Sequence, residues 1–172
     1  MTEAGAPADI TAPFAEARTA WAASVTLVTI ADGRDDIGTT VSAACPLSAE
    51  PPLISISLLA RSYPAEVLSR LDVFAVTLLS SAQRALAGRF AAAGRPGARL
   101  LLDSVPHHRG ERSGALIPDD GLAALECSVT QRIPAGDHLL LVAEVLAVPR
   151  LSPGGEPLIR FRGRYPALAA GG

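Results

Sequence analysis

The chain has no lysine; all fifteen of its basic residues are arginine, spread along its length against seventeen acidic ones, for a formal net charge of -2. No basic block stands out, and nucleic acid is excluded as a partner. Apolar residues make up 49% of the sequence, much of that alanine. No run reaches the roughly 18 apolar residues of a membrane span, so no membrane partner is expected. The first ten residues lack a basic stretch followed by an apolar one, which argues against a secretory signal and for a cytoplasmic protein. Cysteine is scarce: Cys45 and Cys127 stand alone, with no CxxC partner, so each reads as a buried or ledge-lining thiol. Neither a disulfide nor a metal site is expected. No GxGxxG follows a strand, which removes a Rossmann dinucleotide site. Nor does any nucleophile have a matched base.

What is present is one β-rich domain. At 172 residues the chain suits a single core, expected over 11–168 between flexible tails at 1–10 and 169–172. Thr11 is placed to cap a first helix with Pro13 in its opening turn. Phe14, Ala17 and Trp21 share one face of that helix, which is expected to pack on a sheet. SVTLVTI (24–30), the turn residues ADGRDD and the strand after them form a hairpin. LISISLL (53–59) alternates apolar residues with Ser55 and Ser57, predicting a core face and a cleft face.

Gly38 to Pro52, GTTVSAACPLSAEPP, is the stretch the rest is organised around. Alternation puts Thr40 and Ser42 on one side of an extended segment, and Ala43 and Ala44 leave the backbone bare for a flat ligand. A helix is predicted over 65–71 with Ser62 or Tyr63 at its cap, where free N–H groups attract phosphate. FAVTLL (74–79) is a buried strand. Ser80 and Gln83 make a capping box for a helix running to Phe90, which carries Arg84 and Arg89, either phosphate contacts or solvated surface. Residues 91–121 read as a long excursion, a lid or a dimer arm. His107 and His108 within it have no ligand-spaced neighbours and are expected to be exposed. Two long strands, 122–133 and 139–148, are joined by PAGD, and LIRF follows a further turn. With no βαβ rhythm, the fold class is mainly β: an antiparallel barrel with peripheral helices.

Five motifs in order resemble those of the flavin reductase family, the NAD(P)H:flavin oxidoreductases built on the FMN-binding split barrel that serve as reductase components of two-component flavin-dependent monooxygenases. SVTLVT is similar to the family's GVTVVT and GTTVSAACPLSAEPPL to GMTVSSFTSVSLDPPL. FAVTLLSSAQRALAGRFA is similar to FAVNVLS..Q..LA..FA. LECSVTQRIPAGDHLLLVAEV resembles LEC...GDH...GEV, and PLIRFRGRYPAL resembles PLLYFRGRY.RL. Together they cover about residues 14–168.

The resemblance implies that Thr40, Val41, Ser42, Ala43, Ala44 and Cys45 hold the flavin ring and ribityl chain, flanked by Ser57, Leu58 and Leu59. Ser62, Arg89 and Phe90 would hold its phosphate end. His138, Arg164 and Tyr165 would border the nicotinamide of NADH or NADPH. The flavin would be FMN or FAD, no residue would act as acid, base or nucleophile, and reduced flavin would pass to a separate monooxygenase. A homodimer is expected, since small split barrels leave a sheet face exposed and the 91–121 arm has too few local partners to be stable alone. The chain departs from the pattern at Ser24 for Gly, Thr77 for Asn, Leu100 for the Phe of DRF and, most consequentially, Ala44 for Phe, where a missing ring would widen the cleft or weaken ring contacts. A catalytically idle flavin carrier, or another flavin enzyme on the same barrel, are the alternatives.

Overall fold

The computed structural model describes residues 9–33, 35–152 and 154–168; the tails expected at 1–10 and 169–172 lie outside them, apart from Asp9 and Ile10. The first helix, α1 (Thr11–Arg18), leads to a short strand, β1 (Ala23–Ser24), and then to the hairpin of β2 (Thr26–Asp32) and β3 (Asp35–Val41). β4 (Ala44–Ala49) and β5 (Pro52–Leu59) follow, then α2 (Tyr63–Leu68), β6 (Val73–Leu78), a 3-10 turn over Ser81–Gln83, α3 (Arg84–Ala91) and α4 (Ala98–Leu101). A small hairpin, β7 (His107–Arg109) and β8 (Leu116–Pro118), precedes the long pair β9 (Ala123–Ala135) and β10 (His138–Leu151), and β11 (Ile159–Arg160) pairs back onto β1. Among the described residues no helix is long and apolar enough to cross a membrane.

The main sheet is antiparallel, with seven strands in the order β3-β2-β6-β9-β10-β5-β4. Its two edge strands are consecutive in the chain, so the sheet must curl until they meet. The corner between them makes that contact: Ser57 N–H donates to the Ala43 carbonyl at 2.9 Å, and Thr26 Oγ1 donates to the Val41 carbonyl at 2.8 Å. Alternation decides what faces inward. Ile54, Ile56 and Leu58 of β5 are buried while Ser55 and Ser57 between them are half-exposed, as a strand with one core face requires. Inside the curl, Val28, Ile30, Ile37, Phe74, Val76 and Leu141 pack together, and Val67 and Leu68 of α2 join the same cluster. The split barrel expected from the sequence is the observed architecture, with helices at its periphery.

A second core lies on the other side of β2. Leu27 and Leu79 pack there with Leu86 and Phe90 of α3 and Ala98 and Leu102 around α4. β2 is therefore covered on both faces, which is why five consecutive residues, Thr26 to Ile30, are buried. Gly38 fits this core for steric reasons, because a Cβ at that position would collide with the Phe90 ring. The expected capping box is present as Ser80 N–H donating to Gln83 Oε1 at 3.0 Å.

Two local expectations are corrected. None of the residues of α1 is buried, and Phe14 and Trp21 are 58% and 70% exposed. The helix does not pack on the sheet, since TAPFAEAR offers one large apolar side chain and ends before Trp21. Thr11 does not cap it: the N-cap is Ile10, which has no side-chain cap, and the Asp9 carboxylate just before it accepts from Thr11 N–H at 2.9 Å. Residues 91–121, expected to project as a lid or arm, are folded onto the barrel: Ala98, Leu102, Ala115, Leu116 and Ile117 are all buried. Polar anchors hold the segment down. Asp36 accepts from Arg99 Nε at 3.0 Å and from both terminal nitrogens of Arg109 at 2.8 and 2.9 Å. Glu126 Oε1 accepts from Arg112 N–H, Ser113 N–H and Ser113 Oγ at 2.9, 2.7 and 2.8 Å.

Candidate functional site

The ledge is built where β3 turns into β4. Thr40 and Ser42 are half-exposed, Val41 between them is buried, and Ala43 and Cys45 are exposed. The corner leans on β5 through the Ala43–Ser57 bond, which brings Ser42 and Ser57 into one neighbourhood. Thr26, Thr29 and Ser113 spend their hydroxyls on intraprotein hydrogen bonds. The hydroxyls of Thr40, Ser42, Ser55 and Ser57 make none to the described residues. Half-buried hydroxyls in a row, beside small side chains that leave the backbone open, fit a flat heteroaromatic ring with polar edge atoms. Leu58 points into the barrel core and is buried, whereas Leu59 is half-exposed at the end of the strand.

At the end of β5 the chain turns into α2, and Ser62 is its N-cap, with Oγ accepting from Ala65 N–H at 3.4 Å and Pro64 in the first turn. That decides between Ser62 and Tyr63. Ser62 lines a cavity of about 910 Å3 that runs along β3 between the start of α2 and residues 93–100. The sequence placed Arg89 at the same phosphate end, but Arg89 bonds the Leu101 carbonyl at 3.3 Å and Ser104 Oγ at 3.4 Å and is not among the residues that line the cavity. Phe90 is fully buried beneath Gly38, so it supports β3 from below and does not face the ledge.

Arg95, in contrast to Arg89, lines this cavity. Its Nε donates to the Gly38 carbonyl at 2.9 Å and its Nη1 to the Ala92 carbonyl at 3.2 Å. Burial, with no carboxylate in contact to offset it, pulls the guanidinium below its usual pKa. Arg61 and Arg99 line the same cavity. Sequence reasoning missed these three. The signal was there in GRPG (94–97), an arginine between turn-forming residues, and in Arg61 directly before the cap.

His138 begins β10 opposite Leu59, after a two-residue hairpin turn in which Gly136 supplies the left-handed step at φ +62. Its Nδ1 lies 2.7 Å from Asp137 Oδ1. A carboxylate only accepts, so Nδ1 carries the proton and Nε2 is the nitrogen left for a ligand. The same hydrogen bond holds the Asp137 carboxyl below the usual range, and the positive charge of Arg61 adds to the effect. His138 lines a smaller hollow of about 420 Å3, and Arg61 and Ser62 form the wall it shares with the larger cavity.

Tyr165 and Arg164 are not brought to His138. Tyr165 packs on the second core with Val25, Leu79 and Leu86, and the Arg84 guanidinium lies 5.4 Å from its ring centroid. Arg164 is exposed in the turn that its N–H closes onto the Phe161 carbonyl at 2.9 Å. Cys45 is exposed on the ledge, and burial pushes the Cys127 thiol up to about 12. His108 is exposed and contacts Asp119 at 2.6 Å, while His107 is half-buried, its Nδ1 2.7 Å from the Val105 carbonyl. No group of His, Cys, Asp or Glu among the described residues could hold a metal ion.

Comparison with known proteins agrees with the fold. The family model described as the flavin reductase like domain matches residues 18–169, and the chain belongs to that family. An NADPH-flavin oxidoreductase of Streptomyces viridifaciens is 39% identical over 141 residues, 81% of this chain and 72% of that protein. The reductase component of 4-hydroxyphenylacetate 3-monooxygenase from Thermus thermophilus is 34% identical over 155 residues, 90% and 95% of the two chains. Among solved structures, the NADH:FAD oxidoreductase of Streptomyces globisporus in complex with NAD and FAD fragments superposes with a TM-score of 0.84, at 28% identity, covering 98% of each chain.

Proposed function

We infer that the protein is an NAD(P)H:flavin oxidoreductase, one domain over 11–168, working in the cytoplasm and supplying reduced FMN or FAD to a separate monooxygenase. The half-exposed hydroxyls of Thr40, Ser42 and Ser57, none of them bonded to the described residues, carry this reading, because they lie beside small side chains that leave the backbone open to a flat ring. When bound, the cofactors supply the redox chemistry, the nicotinamide giving up a hydride that flavin N5 accepts. The chain's own residues bind, orient and exclude water. Thr40, Ser42 and Ser57 would meet the polar edge of the flavin, with Ala43 to Cys45 under its plane. Ser62 and Arg95 would take its phosphate. His138, with Nδ1 fixed by Asp137, would present Nε2 to the nicotinamide amide or to a phosphate of the dinucleotide.

Alanine at position 44 puts no ring against the flavin, which suits a flavin that enters and leaves as a substrate. Purified protein mixed with NADH or NADPH and either flavin gives the test. Steady nucleotide oxidation supports the reductase, and bound flavin without turnover identifies a carrier.

The reading includes a homodimer built on the outer face of β5 and β10. Leu140 stands opposite Ser57 and Val142 opposite Ser55, and further along the strand Leu146 and Val148 are 42% and 54% exposed. A second copy of the chain is the occupant that fits, because this face continues into the ledge residue Ser57 and a two-fold contact would wall the ledge off from water. Light scattering on the wild type and on Val142→Asp decides it. A monomeric wild type at micromolar concentration would remove the dimer from the proposal.

A further inference from the structure

The cavity beside Ser62 is larger and more cationic than a single phosphate requires. Its volume is about 910 Å3, and among the described residues three guanidinium groups, those of Arg61, Arg95 and Arg99, line it. Two carboxylates line it as well, Asp35 and Asp36. Asp36 is taken up by Arg99 together with Arg109, which lies outside the cavity lining. Among the described residues Arg95 bonds only carbonyl oxygens, and Arg61 makes no hydrogen bond or ion pair. The balance is positive, and the donors left over are those that grip phosphate oxygens. The same cavity has exposed apolar surface: Tyr63 is 49% exposed and Leu100 is 71% exposed. Guanidinium groups next to an exposed aromatic ring form a pattern suited to a phosphorylated nucleoside, with the ring available to stack on a base.

We propose that this cavity is the site of an adenosine diphosphate arm, that of FAD, and that it makes FAD the preferred flavin over FMN. The proposal rests on the flavin reading of the ledge and names the flavin that the ledge takes. Ser62 and Arg95 hold the phosphate common to both flavins, Arg61 reaches the second phosphate, and the Tyr63 ring lies against the adenine. FMN ends at the first phosphate and leaves the remaining volume unfilled. The nicotinamide cofactors carry the same arm. FAD is favoured as its source because Gly38, two residues before Thr40 on the strand that carries the ledge, lines this cavity, whereas His138 lines the smaller hollow and not this one.

The test uses the full chain without nicotinamide cofactor. FAD, FMN and ADP are titrated separately, followed by flavin fluorescence quenching and, for ADP, calorimetry. FAD is expected to bind at least about tenfold more tightly than FMN, and ADP to displace FAD. Arg61→Ala and Tyr63→Ala should each weaken FAD binding by about tenfold, the factor that one charge-assisted hydrogen bond or one stacking contact carries, while FMN binding stays put. Both side chains are exposed, so thermal melts of these variants should match the wild type. Equal affinity for FAD and FMN would overturn the proposal and leave the reductase reading intact. So would variants that raise the KM for NADH without touching FAD affinity, since the arm would then belong to the nicotinamide cofactor. Failure of both flavins to bind would overturn both readings.

Discussion

Replacing Asp36 by Asn tests whether the segment after α3 is held to the barrel by charge. The Asp36 side chain is 3% exposed, whereas those of Arg99 and Arg109 are 66% and 47% exposed. Removing one partner of a fully buried ion pair costs about 3–5 kcal/mol. Here the two guanidinium groups can return to water, and Asn keeps one acceptor, so the expected loss is about 2–3 kcal/mol, no more than two charge-assisted hydrogen bonds are worth. For a chain of this length that lowers Tm by about 4–12 °C.

The pH dependence follows from the same contacts. Hydrogen bonds from Arg109 first, and then Arg99, hold the Asp36 carboxyl below its ordinary value of 3.8 although burial opposes them. A carboxylate depressed on folding contributes stability that is present above its unfolded pKa and is lost as pH falls through the folded one. The gap between wild type and Asp36→Asn should therefore be full at neutral pH and close as pH drops below about 4. Urea unfolding at a series of pH values measures both quantities. A variant within about 0.5 kcal/mol of wild type at neutral pH, the range of an ordinary surface substitution, would refute the clamp.

His138→Ala should raise the KM for NADH or lower kcat/KM while flavin affinity and Tm stay unchanged, because the turn it occupies buries few contacts; normal NADH kinetics would leave His138 as a turn residue. Ser62→Ala and Arg95→Ala should weaken FMN binding by up to about 1.5–3 kcal/mol and leave riboflavin binding nearly unchanged, since riboflavin lacks the phosphate. Arg89→Ala, bonded elsewhere, should spare both ligands, and a selective loss of FMN binding in that variant would return the phosphate to Arg89. Of the two thiols, Cys45 should react with a thiol reagent in the native protein, whereas Cys127, pushed up to about 12 by burial, should react only on unfolding. Modification of both at equal rates would contradict the buried position of Cys127.

Alternation in LISISLL and SVTLVTI, turn residues between strands, and the Ser62 and Ser80 caps were legible because each depends on neighbours only a few residues away. They determined the strands, the hairpins and the ledge. What the sequence could not decide was which distant side chains meet. Asp36 meets Arg99 and Arg109 across 63 and 73 residues, so a segment that looked aperiodic turned out to be anchored. Arg89 and Arg95 are both arginines near one helix end, yet only Arg95 lines the cavity with Ser62, because α3 turns Arg89 toward Leu101 and Ser104. Phe14 and Trp21 shared a face by spacing, but the helix ended too soon and nothing in the described chain covers them. Local patterns fix conformation through short-range sterics and hydrogen bonds. Partnership between residues far apart is fixed only when the sheet curls and brings its edges together.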